Sequence, residues 1–287
     1  LMQFGLFEIG KKEAKVRAQI PQSLFLLVES VAGCRFEMTD ASFDERVLFN
    51  VLLCLKMATT SPLGQYLDDQ SFWISFEVIF RMSQETRRSK ILKLAAVSAL
   101  VSIVHTIFSG FNEAIRREKM GFKGKDVAKS VHFFNDENIE VEKNISSKNE
   151  DTSSKSLDVS LDRSFGLPVI LKLLNFLVST LDPNGVSPIV RKLIAGEVDH
   201  SKIQKIGLRL LNIALCDCGL ALSRFKPAVM LIGNDLCKYL IQTMLVAPNF
   251  LYSSLQIFRT LVIYLRVNLK TQIEAVFNAV YLRALSG

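Results

Sequence analysis

The stretch Ser164–Asn184, SFGLPVILKLLNFLVSTLDPN, decides what kind of chain this is. It is oily almost throughout, with Lys172 its one charge before Asp182. A bilayer span requires ~20 consecutive apolar residues, and this run is both shorter and interrupted. Ile170, Leu173, Leu174, Leu177 and Leu181 recur at three- and four-residue steps, which puts them on one face of a helix. Pro168 stands where a first turn tolerates it, Ser164 offers a cap just upstream, and Asp182–Gly185 (DPNG) stops the run. The stretch reads as the opening helix of a soluble module, not as an anchor.

What precedes it is different in kind. From about Arg117 to Ser164 the sequence turns to Ser, Asn, Lys, Asp and Glu, and helical periodicity vanishes. Such a segment cannot bury enough apolar surface to offset its ordering entropy. Residues 117–164 therefore read as a flexible linker, with Val131–Phe134 (VHFF) its one patch able to dock.

The blocks on either side carry helical spacing. In the first, Leu24, Leu27, Val28 and Val31 lie at helical steps, and SFDE at Ser42–Glu45 has the form of a capping box. After the break at Pro62 come Trp73, Phe76 and Phe80, then a stripe of Leu94, Val97, Val101, Val104 and Phe108. The second block repeats the style through Ile203, Ile206, Leu210 and Ile213, then a helix capped near Asn234. A break at Pro248 and two more helices follow, carrying Leu255 to Leu265 and Leu269 to Val280. Nothing alternates at period two. The fold class is all-α, an armadillo- or HEAT-like stack of helical pairs in two blocks, 1–116 and 165–287, although no sequence period marks the repeats.

Chemistry is hard to find in these blocks. No nucleophile elbow, phosphate loop, zinc-protease helix or dinucleotide fingerprint is present. Asp44/Glu45 and Asp68/Asp69 stand at helix starts, where the dipole explains them. His105 lies among apolar residues and reads as a hydrogen-bonded core histidine. Cys216 and Cys218 could form half a metal site, but His105, His132 and His200 are scattered and a tetrahedral centre needs four donors. The five cysteines form no disulfide framework and read as reduced and buried. The net charge of +7 is spread along polar faces, as in Lys11, Lys12, Lys15 and Arg17, and no nucleic-acid signature accompanies it. Attraction to acidic phospholipid headgroups is the better use of that charge. No catalytic residue, cofactor or metal is assigned. The start at Leu1 and the end in YLRALSG make the chain read as a fragment of a longer protein.

Two stretches go beyond the generic. VAGCRFEMTDASFDERVLFNVLLCLKM, Val31–Met57, resembles part of the dimerization and cyclophilin-binding (DCB) domain of large Arf guanine-nucleotide exchange factors. NLKTQIEAVFNAVYLRAL, Asn268–Leu285, resembles a helix of the homology-upstream-of-Sec-seven (HUS) domain of that family. The stretch from Phe165 resembles the start of the same domain. IGLRLLNIALCDCG and IGNDLCKYLIQTML follow its middle helices in order. The fit is best to the Golgi-brefeldin-resistance-factor/Gea/GNOM class. Residues Gly185 to His200 resemble an insertion between the first two HUS helices, and the glutamate-finger helix of the catalytic Sec-seven domain has no counterpart here.

The resemblance implies a non-catalytic regulatory region. It implies homodimerization through a DCB-like block, an intramolecular DCB–HUS contact, and an Arf GTPase engaged through the absent catalytic domain. It also implies peripheral association with Golgi or endosomal membranes from the cytoplasm, with no nucleic acid. Lys270, Gln272 and Glu274 on the last helix are the candidate interface. The alternatives are a Sec-seven-lacking scaffold of the Mon-two type and a helical adaptor that binds lipid through its basic faces.

Overall fold

A computed structural model describes residues 14–34, 41–85, 88–119, 166–185, 187–193 and 199–286. Most of the linker, with Val131–Phe134, lies outside them, as do Lys11 and Lys12. Among the described residues there are helices and turns but no strand.

The first four helices are α1 (Ala14–Ala32), α2 (Ala41–Thr60), α3 (Asp69–Gln84) and α4 (Lys90–Lys119). The rest are α5 (Leu167–Ser179), the single turn α6 (Pro188–Arg191), α7 (His200–Cys218), α8 (Lys226–Leu231), α9 (Cys237–Val246), α10 (Leu251–Leu265) and α11 (Lys270–Ser286). The helices stack in two layers. One layer holds α1, α3, α5, α8–α9 and α11; the other holds α2, α4, α7 and α10. Helices inside each layer thus bury one flank across the sandwich and two against their layer mates, while the end helices have one layer mate each.

The third helix shows how the sequence builds this. Asp68 caps it, its carboxylate accepting from the Ser71 N–H at 2.9 Å. Phe72, Phe76, Ile79 and Phe80 are fully buried, and only Gln70 and Arg81 are exposed along its length. In α4 the buried residues include Leu92, Ala96, Leu100, Ile103, Val104, Ile107, Phe108 and Phe111. The stripe expected from the sequence is displaced at its start, since Leu94 is exposed while Leu92 is not; Leu27 of α1 is likewise exposed. Spacing alone does not distinguish two apolar rows one residue apart.

Local expectations need several corrections. The cap of α5 is Gly166, not Ser164, and Pro168 does sit in the first turn. Helix α2 already begins at Ala41, so Ser42 lies inside it. Asn234 is no cap: α8 continues through a π-helical turn, Ile232–Leu236, into α9. Gly233 sits in that turn because the start of α11 crosses it; an added Cβ would stand 3.0 Å from Leu269 Cδ2. Cys34, Cys54 and Cys216 are exposed; only Cys218 and Cys237 are buried. Burial pushes the Cys218 thiol well up, with Asp217 adding to it, and takes Cys237 to about 11.

Three helical stretches, 90–116, 200–224 and 226–246, are long and apolar enough to cross a membrane by length and composition, though no uncharged run had suggested it. Here 44, 56 and 33% of their most apolar windows is buried within the stack.

Candidate functional site

No arrangement of catalytic side chains emerges among the described residues, and none of them form a group able to hold a metal ion. The feature that organises the molecule is a seam. There α3 and α4, from before the linker, meet α5 and α7, from after it.

Its centre is Phe176 of α5. The ring stands edge-on to three rings of α3: Trp73 at 5.7 Å, Phe76 at 5.4 Å and Phe80 at 4.9 Å between centroids. The three belong to one helix face, with Trp73 stacked on Phe76 and Phe76 on Phe80. Edge-to-face pairs set the positive ring edge against the negative face and add about 0.5–1.5 kcal/mol each beyond buried area. Lys172, one turn earlier on α5, places its Nζ 4.3 Å from the Trp73 centroid. The Trp73 Nε1–H donates to Glu77, so the indole is held at both ends. The charge that interrupts the apolar run of α5 therefore has a partner on α3.

Polar contacts flank the rings. The Gly166 N–H, at the orphan start of α5, donates to Asp69 Oδ1 at 2.9 Å. Burial raises the Asp69 carboxyl from its usual range; the Gly166 bond and Lys172 oppose that, and Asp68 adds to it. Loss of hydration pulls the Lys172 ammonium down, against the attraction of Glu77 and Asp69. Arg81 Nε donates to the Leu193 carbonyl at 3.2 Å, joining α3 to the segment just after α6.

Further along, α4 runs beside α7. His105 Nδ1 is 2.8 Å from Asp217 Oδ2, and Asn112 Nδ2 donates to the Asp217 carbonyl at 2.9 Å. Phe111 meets Phe225 beyond them at 6.1 Å. His105 is thus not a core histidine: its side chain is 63% exposed and lies on the outer surface of the seam.

The candidate interface on α11 divides. Lys270 and Glu274 are exposed, one turn apart, whereas Gln272 is half-buried with its amide beside Gly233. The helical step of 100° puts positions 270 and 274 on one side and 272 on the other. Sequence reasoning missed Asp69, Lys172, Phe176, Asn112 and Asp217 as contact residues. Only the lone charge in α5 and the doubled Asp68/Asp69 gave any local signal of them.

Residues 167–287 match the family model described as the Mon2/Sec7/BIG1-like HUS domain. This match and the relatives below support the resemblance drawn from the sequence to the N-terminal region of large Arf exchange factors. Among curated relatives, the chain is 25% identical to ARF guanine-nucleotide exchange factor 2 of Saccharomyces cerevisiae. That alignment covers 88% of this chain and 20% of the relative. It is 25% identical to ARF guanine-nucleotide exchange factor GNOM of Arabidopsis thaliana, over 94% of this chain and 21% of that protein. It is also 26% identical to an uncharacterized Schizosaccharomyces pombe protein, over 84% of this chain and 15% of the relative. The chain spans about a fifth of the length of the first two. Both alignments extend well beyond the HUS match into the helices before it.

Proposed function

We propose that this chain is a non-catalytic regulatory region of a large Arf guanine-nucleotide exchange factor acting in Golgi vesicle traffic. The observation that carries the reading is the HUS match together with similarity to exchange factors along nearly the whole chain. On this reading residues 1–116 are the DCB-like domain and 165–287 the HUS domain, with an armadillo-like stacking. Nucleotide exchange on an Arf GTPase belongs to the parent protein, which works from the cytoplasm on Golgi or endosomal membranes.

The role of the region is to scaffold. Its first block forms the homodimer, and the seam around Phe176 is the intramolecular DCB–HUS contact. Exposed apolar residues on α1 and α2, among them Leu26, Phe49 and Leu53, support a self-association surface at that end of the stack. Lys270 and Glu274 remain the candidate interface at the other end. Light scattering on the intact chain at tens of micromolar tests the dimer: a mass of twice 32.2 kDa is expected. A strict monomer counts against this role.

A second reading is a scaffold without a Sec7 domain, favoured by the inclusion of Mon2 in the matched family's description. Nucleotide release from an Arf GTPase, measured with the full-length parent, separates the two. Acceleration supports the exchange factor and its absence the scaffold.

A further inference from the structure

We propose that the outward face shared by α7 and α10 docks directly onto an anionic phospholipid membrane. This specifies how the membrane recruitment in the preceding reading would occur, and it stands on charge and exposure in this chain.

The first observation is where the charge lies. Residues 166–287 hold 13 Lys and Arg against 6 Asp and Glu, which is the whole of the net +7; residues 1–165 hold 22 of each. The second is how the folding gathers it. Cys216 approaches Thr260, and three residues on, Gly219 faces Tyr264. Position advances together along both helices, so α7 and α10 run side by side in the same direction. Their shared layer leaves one face of each uncovered. On α7 that face presents Lys205 and Arg209, one turn apart; on α10 it presents Arg259 and Arg266, two turns apart. All four are exposed, and none has an ion-pair partner among the described residues. The neighbouring acids are already engaged, Asp217 by His105 and Asp199 by Lys202.

The third observation favours lipid as the occupant. Between and beside the cations of α10 stand Tyr252, Ile263 and Val267, exposed by 74, 54 and 87%. Apolar and aromatic side chains interspersed among cations fit a lipid interface, with headgroups meeting the Lys and Arg and the apolar side chains entering the acyl boundary.

The test is flotation of the intact 287-residue chain with phosphatidylcholine vesicles, with and without about 30% phosphatidylserine. Binding is expected to the anionic vesicles only, and to weaken at about 0.5 M salt, where screening shortens to a few ångströms. Each cation removed should cost about fivefold in affinity. Arg209→Glu/Arg259→Glu should therefore bind at least about 25-fold more weakly, while Lys238→Glu, exposed on α9 in the other layer, binds as before. Should the reversal pair fail to fold, Lys205→Gln/Arg266→Gln serves instead, with the same loss expected. The proposal is overturned if pure phosphatidylcholine binds equally, if the α7–α10 variants bind like the parent chain, or if Lys238→Glu loses as much. Capture of the chain by polyglutamate but not by vesicles would also overturn it, assigning the face to an acidic protein. Failure to bind vesicles by a chain that still dimerizes would sink this inference alone.

Discussion

The Phe176 ring meets the Phe80 ring edge to face, 4.9 Å apart at 89°, across a chain separation that includes the whole linker. Contacts between residues so distant in sequence carry the stability of the seam. Phe176→Ala is expected to cost about 3–5 kcal/mol in chemical denaturation, as for other fully buried phenylalanines. Phe176→Leu, which keeps most of the volume, should cost less than half of that.

The Asp69–Gly166 contact separates hydrogen bonding from charge. The carboxyl is raised chiefly by desolvation, which works against its ionised form. Asp69→Asn keeps an acceptor for the Gly166 N–H and should stay within about 0.5 kcal/mol of the parent; Asp69→Ala leaves that N–H unpaired and should cost about 1–2 kcal/mol. Equal losses in the two would assign the contact to charge instead.

Gly207 is required by a close approach of α5 to α7. A Cβ there would fall 1.8 Å from Thr180 Oγ1 and 2.8 Å from its Cβ. Gly207→Ala should destabilise by about 1–3 kcal/mol. Adding Thr180→Ala should restore part of it, since the nearest clash goes and the 2.8 Å approach stays.

Much of this was legible in the sequence, and the reasons for the rest are physical. Helices and their breaks follow from three- and four-residue spacing, from Pro62, Pro168 and Pro248, and from the acidic pair Asp68/Asp69 at a helix start. Which row faces inward is less visible where a helix has neighbours on several sides, as at Leu92 and Leu94. Caps fail where a helix continues through an irregular turn, as at Asn234, because the crossing of Leu269 over Gly233 is not a local property. A contact between the two blocks was implied by the resemblance, but its residues were not visible: Lys172 reads as an interruption until the indole of Trp73 is placed beneath it. His105 looked buried because its sequence neighbours are apolar, yet it projects between α4 and α7 at the surface.

Cysteine chemistry gives a pH-dependent check. With its folded value at about 11 against an ordinary 9, Cys237 holds its proton more tightly in the native chain than in the unfolded one. Its contribution to stability is complete below about pH 9 and is lost as pH rises through 11. Cys218 acts in the same direction. Native alkylation at pH 8 should modify Cys34, Cys54 and Cys216 and spare both buried thiols. Cys237→Ala should flatten the alkaline decline in stability.

The measurement that bears most directly on the account is cleavage of the linker. A protease site placed within residues 140–150 of the intact chain would be cut, and the product sized by gel filtration under native conditions. If α3 and α4 are held to α5 and α7 as described, the two pieces co-elute with the size of the uncut protein. Phe176→Ala should loosen them. Separation of the cut pieces in the parent chain would contradict the single stack.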